Sequence, residues 1–162
     1  MPFYLIELKL QNKLDPHFKI RLHQHCIDIV EQQLDGIIDA LKDAQDGANN
    51  ETKSSAGDKH ETGRAMLQLE MEKASQQLAS VQQMKVVLNK LSIGKTSKVS
   101  CLGSVVLTNK ATYYLAISAG KITVKNIDYF AVSINSPIGK QLLGSSVGDV
   151  IAFNGTKIIE IY

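Results

Sequence analysis

Two apolar series at helical spacing dominate the first hundred residues. Ile27, Val30, Leu34, Ile37, Leu41, Ala44 and Ala48 step by three and four, and so do Leu67, Met71, Ala74, Leu78, Val81, Met84, Leu88 and Leu91. Steps of three and four put one apolar stripe along each helix, the a/d seam of a coiled coil. The step from Val81 to Met84 is three where four is expected, which overwinds the seam locally. Gln, Lys, Glu and Ser fill the remaining positions as on a solvated face, and no proline interrupts either run. Asp15-Pro16 is a plausible start, with a capping oxygen and then a residue that already has a helical φ. Each run spans roughly 30 residues, about 45 Å at ~1.5 Å per residue. The short polar stretch between them, beginning at Gly47-Ala-Asn-Asn50, predicts an antiparallel hairpin with its tip at about residues 49–63.

After Ser92-Ile-Gly-Lys-Thr-Ser97 the pattern changes. Short segments rich in β-branched and aromatic residues follow: 104–108, 112–117, 121–124, 131–133, 149–153 and 157–161. Asn109-Lys110, Ala119-Gly120 and Asn154-Gly155 separate them, and Asn-Gly between two apolar runs is a strong hairpin signal. One helix interrupts the strands, with Ser136 as N-cap, Pro137 at its first position, a body through Leu143 and Gly144 beyond its end. The fold class expected is therefore α+β: a helical hairpin, then a small domain on an antiparallel sheet. The division is residues 1–94 for the N-terminal segment and hairpin and 97–162 for the sheet domain. Phe3, Leu5, Ile6, Leu8 and Leu10 fit a strand, a helix extension or a partner-binding arm equally well.

Charge supports a two-part chain. Residues 1–92 hold 11 Lys+Arg against 13 Asp+Glu, whereas residues 93–162 hold 7 against 3. The net formal charge of +2 implies no strong field for nucleic acid from the chain as a whole. Cys26 and Cys101 are read as free buried thiols. The opening MPFYLIELKLQNKL is too short and too charged to span a bilayer, so a soluble cytoplasmic protein with no membrane partner is expected. His17, His23, His25 and His60 lack zinc-ligand spacing. No glycine-flanked serine follows a strand into a helix as a nucleophile would, no glycine-rich loop marks a phosphate site, and the aromatics are too few for a base-stacking platform.

The chemistry concentrates at the hairpin tip. Asp58 and Glu61 stand three apart, where carboxylates share one helix face and converge on a hard cation such as Mg²⁺. The same spacing is close to a capping box, in which both side chains bind orphan backbone amides. Two carboxylates are too few to hold Mg²⁺ tightly, so the site would be completed by whatever the tip enters; Glu51 is a possible third ligand. Lys53, Lys59 and Arg64 suit an anionic neighbour such as a nucleic-acid backbone, or simple solvation.

Two motifs in this setting resemble those of the Gre transcript-cleavage factors of bacterial RNA polymerase. One is Gly57-Asp-Lys-His-Glu61, similar to the family's Gly-Asp-x-x-Glu tip. The other is Val132-Ser-Ile-Asn-Ser-Pro-Ile-Gly-Lys-Gln-Leu-Leu-Gly144 with Val147-Gly-Asp-Val150, similar to its C-terminal Ser-Pro-hydrophobic, Leu-hydrophobic-Gly and Asp-Val pattern. The resemblance covers about residues 16–162. It implies a coiled coil followed by an FKBP-like domain that docks at the rim of the polymerase secondary channel. The tip would enter the channel, where Asp58 and Glu61 help bind a shared Mg²⁺ and promote cleavage of backtracked nascent RNA near its 3′ end. Ser136, Pro137 and Ile138 would lie at the docking face. The chain would then be an accessory factor, with the polymerase as the enzyme. After Glu61 it reads Thr62-Gly-Arg-Ala65 where the family has Asn-Ala-Glu-Tyr, so Arg64 replaces an acid.

Three alternatives stand beside this expectation. A channel-occupying regulator of the same architecture would bind without promoting cleavage. A prolyl isomerase would need a pocket lined by rings such as Tyr113, Tyr114, Tyr129, Phe130 and Phe153. A coiled-coil adaptor would use Asp58 and Glu61 only as caps.

Overall fold

The structure, a computed structural model, describes residues 2–51, 57–152 and 154–162, and leaves undescribed the side chains at positions 4, 11–14, 51 and 57–60. Its elements are α1 (Phe3–Leu14), α2 (Phe18–Glu51), α3 (Gly57–Lys90), β1 (Val105–Thr108), β2 (Thr112–Ala116), β3 (Gly120–Val124), β4 (Ile127–Ser133), α4 (Pro137–Leu142), β5 (Val150–Ile151) and β6 (Thr156–Ile161). The chain is α+β, with long helices preceding a six-stranded, mostly antiparallel sheet. Residues 1–28 and 87–162 form one compact unit, and residues 29–86 form another. Among the described residues, no helix is long and apolar enough to cross a membrane.

In the 29–86 unit, burial follows the periodicity read from the sequence. Val30, Ile37, Ala44, Ala74 and Val81 are buried, and Leu34, Leu41, Ala48, Leu67, Met71, Leu78 and Met84 are half-buried between exposed neighbours. Gly47 lies close enough to Leu67 that an added Cβ would touch the leucine Cδ2 at 3.5 Å. Farther along, Gly36, Ile37 and Ala40 of α2 face Gln77, Ser80 and Val81 of α3 across a cleft of about 400 Å³. Small side chains at Gly36, Ala40 and Ser80 leave that space unfilled.

In the other unit the sheet order is β3-β4-β2-β1-β6-β5. The expectation of a purely antiparallel sheet needs one correction: β2 and β4 run parallel, with Tyr113 opposite Phe130 and Ala116 opposite Ser133. The chain leaves β2, forms β3 at the edge, and returns as β4 between the two. The β3–β4 turn is Lys125-Asn126, both at positive φ (49° and 64°). That is the geometry of a tight hairpin turn whose twist matches the strands it joins. Asn154-Gly155 does join two strands, but the first, β5, is only two residues long.

Val106, Leu115, Leu142, Ile151 and Ile158 form one apolar cluster, with Ile134 and Ile138 packed against it. Gly139 is where α4 closes on the sheet, since a Cβ there would run into the Ser133 carbonyl oxygen. Tyr114 and Tyr129 are also fully buried. Phe18 at the start of α2 stacks on Tyr129 (6.3 Å between centroids) and meets Tyr162 edge-on at 5.5 Å. Leu22 and Cys26, one and two turns on, are fully buried. The segment before Pro16 is a separate helix, α1. It buries Leu5 and Leu8 and ties Lys9 to Glu160 at 3.0 Å, while Phe3, Ile6 and Leu10 stay exposed. Cys101 is exposed, which corrects its expected burial.

Gly36 and Gly139 give opposite tests of this packing. Nothing lies within 4 Å of a Cβ at Gly36, so Gly36→Ala should stabilise the protein by about 0.5–1 kcal/mol through helix propensity. Gly139→Ala should destabilise it by about 3 kcal/mol, because the backbone must give way. Urea unfolding midpoints of the two variants check both signs. A second test concerns Cys26, whose pKa burial pushes up to about 12. A thiol held protonated in the folded state stabilises fully below its unfolded pKa of about 8.5, and that stability fades as pH rises toward 12. Cys26→Ala should flatten the alkaline loss of stability by on the order of 2 kcal/mol between pH 8 and 11.

Candidate functional site

The sequence places its chemistry at the end of α2 and the start of α3. Glu51 is the last residue of α2, and Asp58 and Lys59 lie in the first turn of α3. Lys53 falls outside the described residues. Helix α3 begins at Gly57. Asp58 therefore follows the first helical residue and does not occupy the non-helical position that a capping box requires. Asp58 and Glu61 are three positions apart on continuous helix, the spacing at which residues share a face. Glu61 and Arg64 are exposed. Acidic residues in a first turn are also favoured by the amide dipoles there, by about 0.3–1 kcal/mol.

Carboxylate oxygens are the donors a hard cation takes, so Asp58, Glu61 and Glu51 fit Mg²⁺ in chemical type. Among the described residues no three of His, Cys, Asp and Glu gather into a metal-holding group. His23 belongs to the fold: its Nδ1 lies 3.4 Å from the Tyr114 hydroxyl, and burial lowers its pKa. Burial raises the pKa of Tyr114, so a neutral imidazole accepting from a protonated phenol satisfies both groups.

Ser136, Pro137 and Ile138 open α4 in the sheet-bearing unit. Ser136 is the N-cap: its Oγ accepts from the Gly139 N–H at 3.1 Å and donates to the Ser133 carbonyl at 2.6 Å. Ile138 leans into the apolar cluster. Pro137 alone of the three is exposed. The ring residues named for a prolyl-isomerase pocket divide. Tyr114 and Tyr129 are buried beside α2, whereas Tyr113 and Phe130 pair with each other at 6.2 Å. Phe153 lies outside the described residues.

Three features went unread in the sequence. The first is the ion pairing of Asp15. Read as a capping oxygen ahead of a helix starting at Pro16, Asp15 instead precedes a turn at Pro16-His17, with α2 starting at Phe18. It accepts from the His17 N–H at 3.1 Å and pairs with Arg21 and, at 2.9 Å, with Lys125 of the β3–β4 turn. Lys19 is only 7% exposed, and its Nζ donates to the carbonyls of Lys95 (3.3 Å) and Tyr162 (3.2 Å). Burial lowers its pKa, opposed in part by the nearby Cys101 thiol. The available signal was a lysine one residue after Phe18 and three before Leu22, inside an apolar helix face. The third feature is an acidic stripe. Asp28, Glu31, Asp35, Asp39, Asp43 and Asp46 recur every three or four residues on α2, and all six are exposed. This face repels phosphate, although Lys42, Lys73 and Lys85 of the same unit are exposed as well.

Compared with models of known protein families, the chain matches none, and it matches no curated protein.

An incomplete carboxylate set should bind metal weakly. Mn²⁺ titrated into the isotopically labelled protein should broaden the amide signals at residues 58–61 only at millimolar concentration. Asp58→Asn combined with Glu61→Gln should abolish that broadening; tight micromolar binding would show a complete site instead.

Proposed function

We propose that the chain is an accessory factor of bacterial RNA polymerase, acting by insertion of its helix pair into the secondary channel. The observation that carries the reading is the loop end of the helix pair. There Asp58 and Glu61 fall within one stretch of helix, on a compact unit separate from the sheet. The alternating buried and exposed positions of α2 and α3 support a coiled coil. The strand order, with β4 inserted between β2 and β3 and α4 packed against the sheet, supports an FKBP-like docking domain that presents Pro137.

In this reading Asp58 and Glu61, with Glu51 as a possible third donor, help hold a Mg²⁺ ion that the polymerase ligates on its other side. Bound there, the ion supplies charge that activates water and offsets the negative phosphate. The chain's own contribution is delivery: it would add carboxylates to a metal site that the polymerase ligates only in part. Lys53, Lys59 and Arg64 hold the anionic backbone near the carboxylates, while the acidic outer face of α2 keeps RNA from binding along the shaft. Arg64, exposed where the Gre pattern carries an acid, favours a second reading, a channel-occupying regulator that does not stimulate cleavage.

Backtracked elongation complexes separate the two. Added protein and Mg²⁺ should shorten the nascent RNA, and Asp58→Ala with Glu61→Ala should reduce the rate at least about 100-fold while leaving binding intact. Binding without shortening selects the regulator, and absence of binding rejects both.

A further inference from the structure

Strand β6 is six residues long, but β5 covers only its first half. Val150 pairs with Lys157 and Ile151 with Thr156. The ladder reaches Ile158 through the Gly148 N–H to Ile158 carbonyl bond and the Ile158 N–H to Asp149 carbonyl bond, both 2.9 Å. On that side no described strand pairs with Ile159, Glu160 or Ile161. Facing this bare edge is the segment 96–98, which belongs to no helix or strand. Its ends are tied down. Lys19 Nζ holds the carbonyls of both Lys95 and Tyr162, and Val99 forms an isolated bridge with Ser146. Between the ties lies a cleft of about 760 Å³, lined by Thr96, Lys98, Ser146, Val147, Glu160 and Ile161 among others.

We propose that this cleft binds an extended peptide segment of a partner protein, about three residues long, with an acidic side chain beside an apolar one. The inference is independent of the reading of the loop end. A bare strand edge offers backbone donors and acceptors that an added strand satisfies, and alternate side chains then set specificity. Three extended residues span about 10 Å, which suits the short gap between the two ties. Val147 is 57% exposed at the rim and Ile161 half-buried, an apolar contact for one side chain. Charge decides the other. Lys9 neutralises Glu160 at 3.0 Å, whereas Lys98 is exposed and in no ion pair among the described residues. The seven cations and three anions of residues 93–162 add to the preference for an acidic partner. A small inorganic anion is a poorer fit, because a carboxylate and two apolar side chains share the lining.

The test uses the full chain and a phage-displayed library of random linear peptides. Selected sequences should share an acidic residue next to an apolar one. Tyr162 exchanges both backbone bonds with Val105, so the backbone of Glu160, opposite Leu107, faces β1 and that of Ile161, opposite Val106, faces the bare edge. The synthesised winner should protect the Ile161 amide from hydrogen exchange. Lys98→Glu and, separately, Val147→Lys should each weaken its binding about tenfold with the circular dichroism unchanged. Both positions are exposed, so neither substitution threatens folding. The proposal is overturned if no sequence is enriched, if enriched peptides are indifferent to both substitutions, or if they leave exchange at Ile161 unaltered. Displacement of the peptide by millimolar inorganic phosphate with no dependence on Val147 also overturns it.

Discussion

The sheet-bearing unit depends on burying one face of α2 that is not wholly apolar. Phe18, Leu22 and Cys26 supply hydrocarbon and sulfur, but Lys19 and His23 lie among them. Withdrawing an ammonium from water costs several kcal/mol even after relaxation. Hydrogen bonds to a charged group return about 1.5–3 kcal/mol each. Two carbonyl acceptors therefore roughly offset the burial of Lys19 and leave little net stabilisation. What the arrangement yields is position. One nitrogen fixes α2, the segment after α3 and the end of β6 at a single point, and an apolar side chain of the same volume could not choose those partners.

Asp15 plays the matching part at the start of the helix. Its carboxylate ends the turn after α1 and reaches across to Lys125 in the β3–β4 turn. Lys125 itself holds a positive φ, a conformation uncommon for a residue with a Cβ. The ion pair and the hairpin register, Val124 opposite Ile127, hold it there. That explains why the turn was hard to read: nothing in Lys-Asn marks it as strongly as Asn-Gly does. The parallel β2–β4 pair was hidden for a different reason. Periodicity and turn chemistry are local, whereas insertion of β4 between β2 and β3 is decided by which strands bury the most surface together. The α2 and α3 stripes were legible at every named position because a 3.6-residue period repeats over more than thirty residues. So was α4, whose serine cap, proline and following glycine are each within a few residues of the helix they delimit.

The candidate site was legible only as composition. Asp58, Glu61 and Arg64 announce charge at one end of the helix pair, and the structure adds that α3 already includes Gly57 and Asp58. In the proposed function their role depends on a partner's atoms, and a single chain carries no trace of those. Lys19 illustrates the complementary failure. Its position on a core-facing stripe was visible, yet its two acceptors lie 76 and 143 residues away, beyond any local rule.

The loop end of the helix pair also carries an energetic argument about how such a site works. Gly63 lies inside α3, nearly two turns from its start at Gly57, and an interior glycine costs about 1 kcal/mol relative to alanine. The acids of the first turn return at most a comparable amount through the amide dipoles. Toward that end the seam thins to Ala44, Ala48 and Gly47 on α2, which bury far less hydrocarbon than Ile37 or Val81 do. Intrinsic helix stability and seam burial thus fall together, in the region where the carboxylates stand. On the proposed function, free energy that a stiffer sequence would have placed in the isolated protein would be gained on contact with the partner. The proposed metal site, lacking most of its oxygen ligands, would have the same property, because its affinity would be realised only when the missing ligands arrive. On the proposed function both features would favour insertion over solitary binding, and both would be lost by improving the helix pair as a free-standing structure.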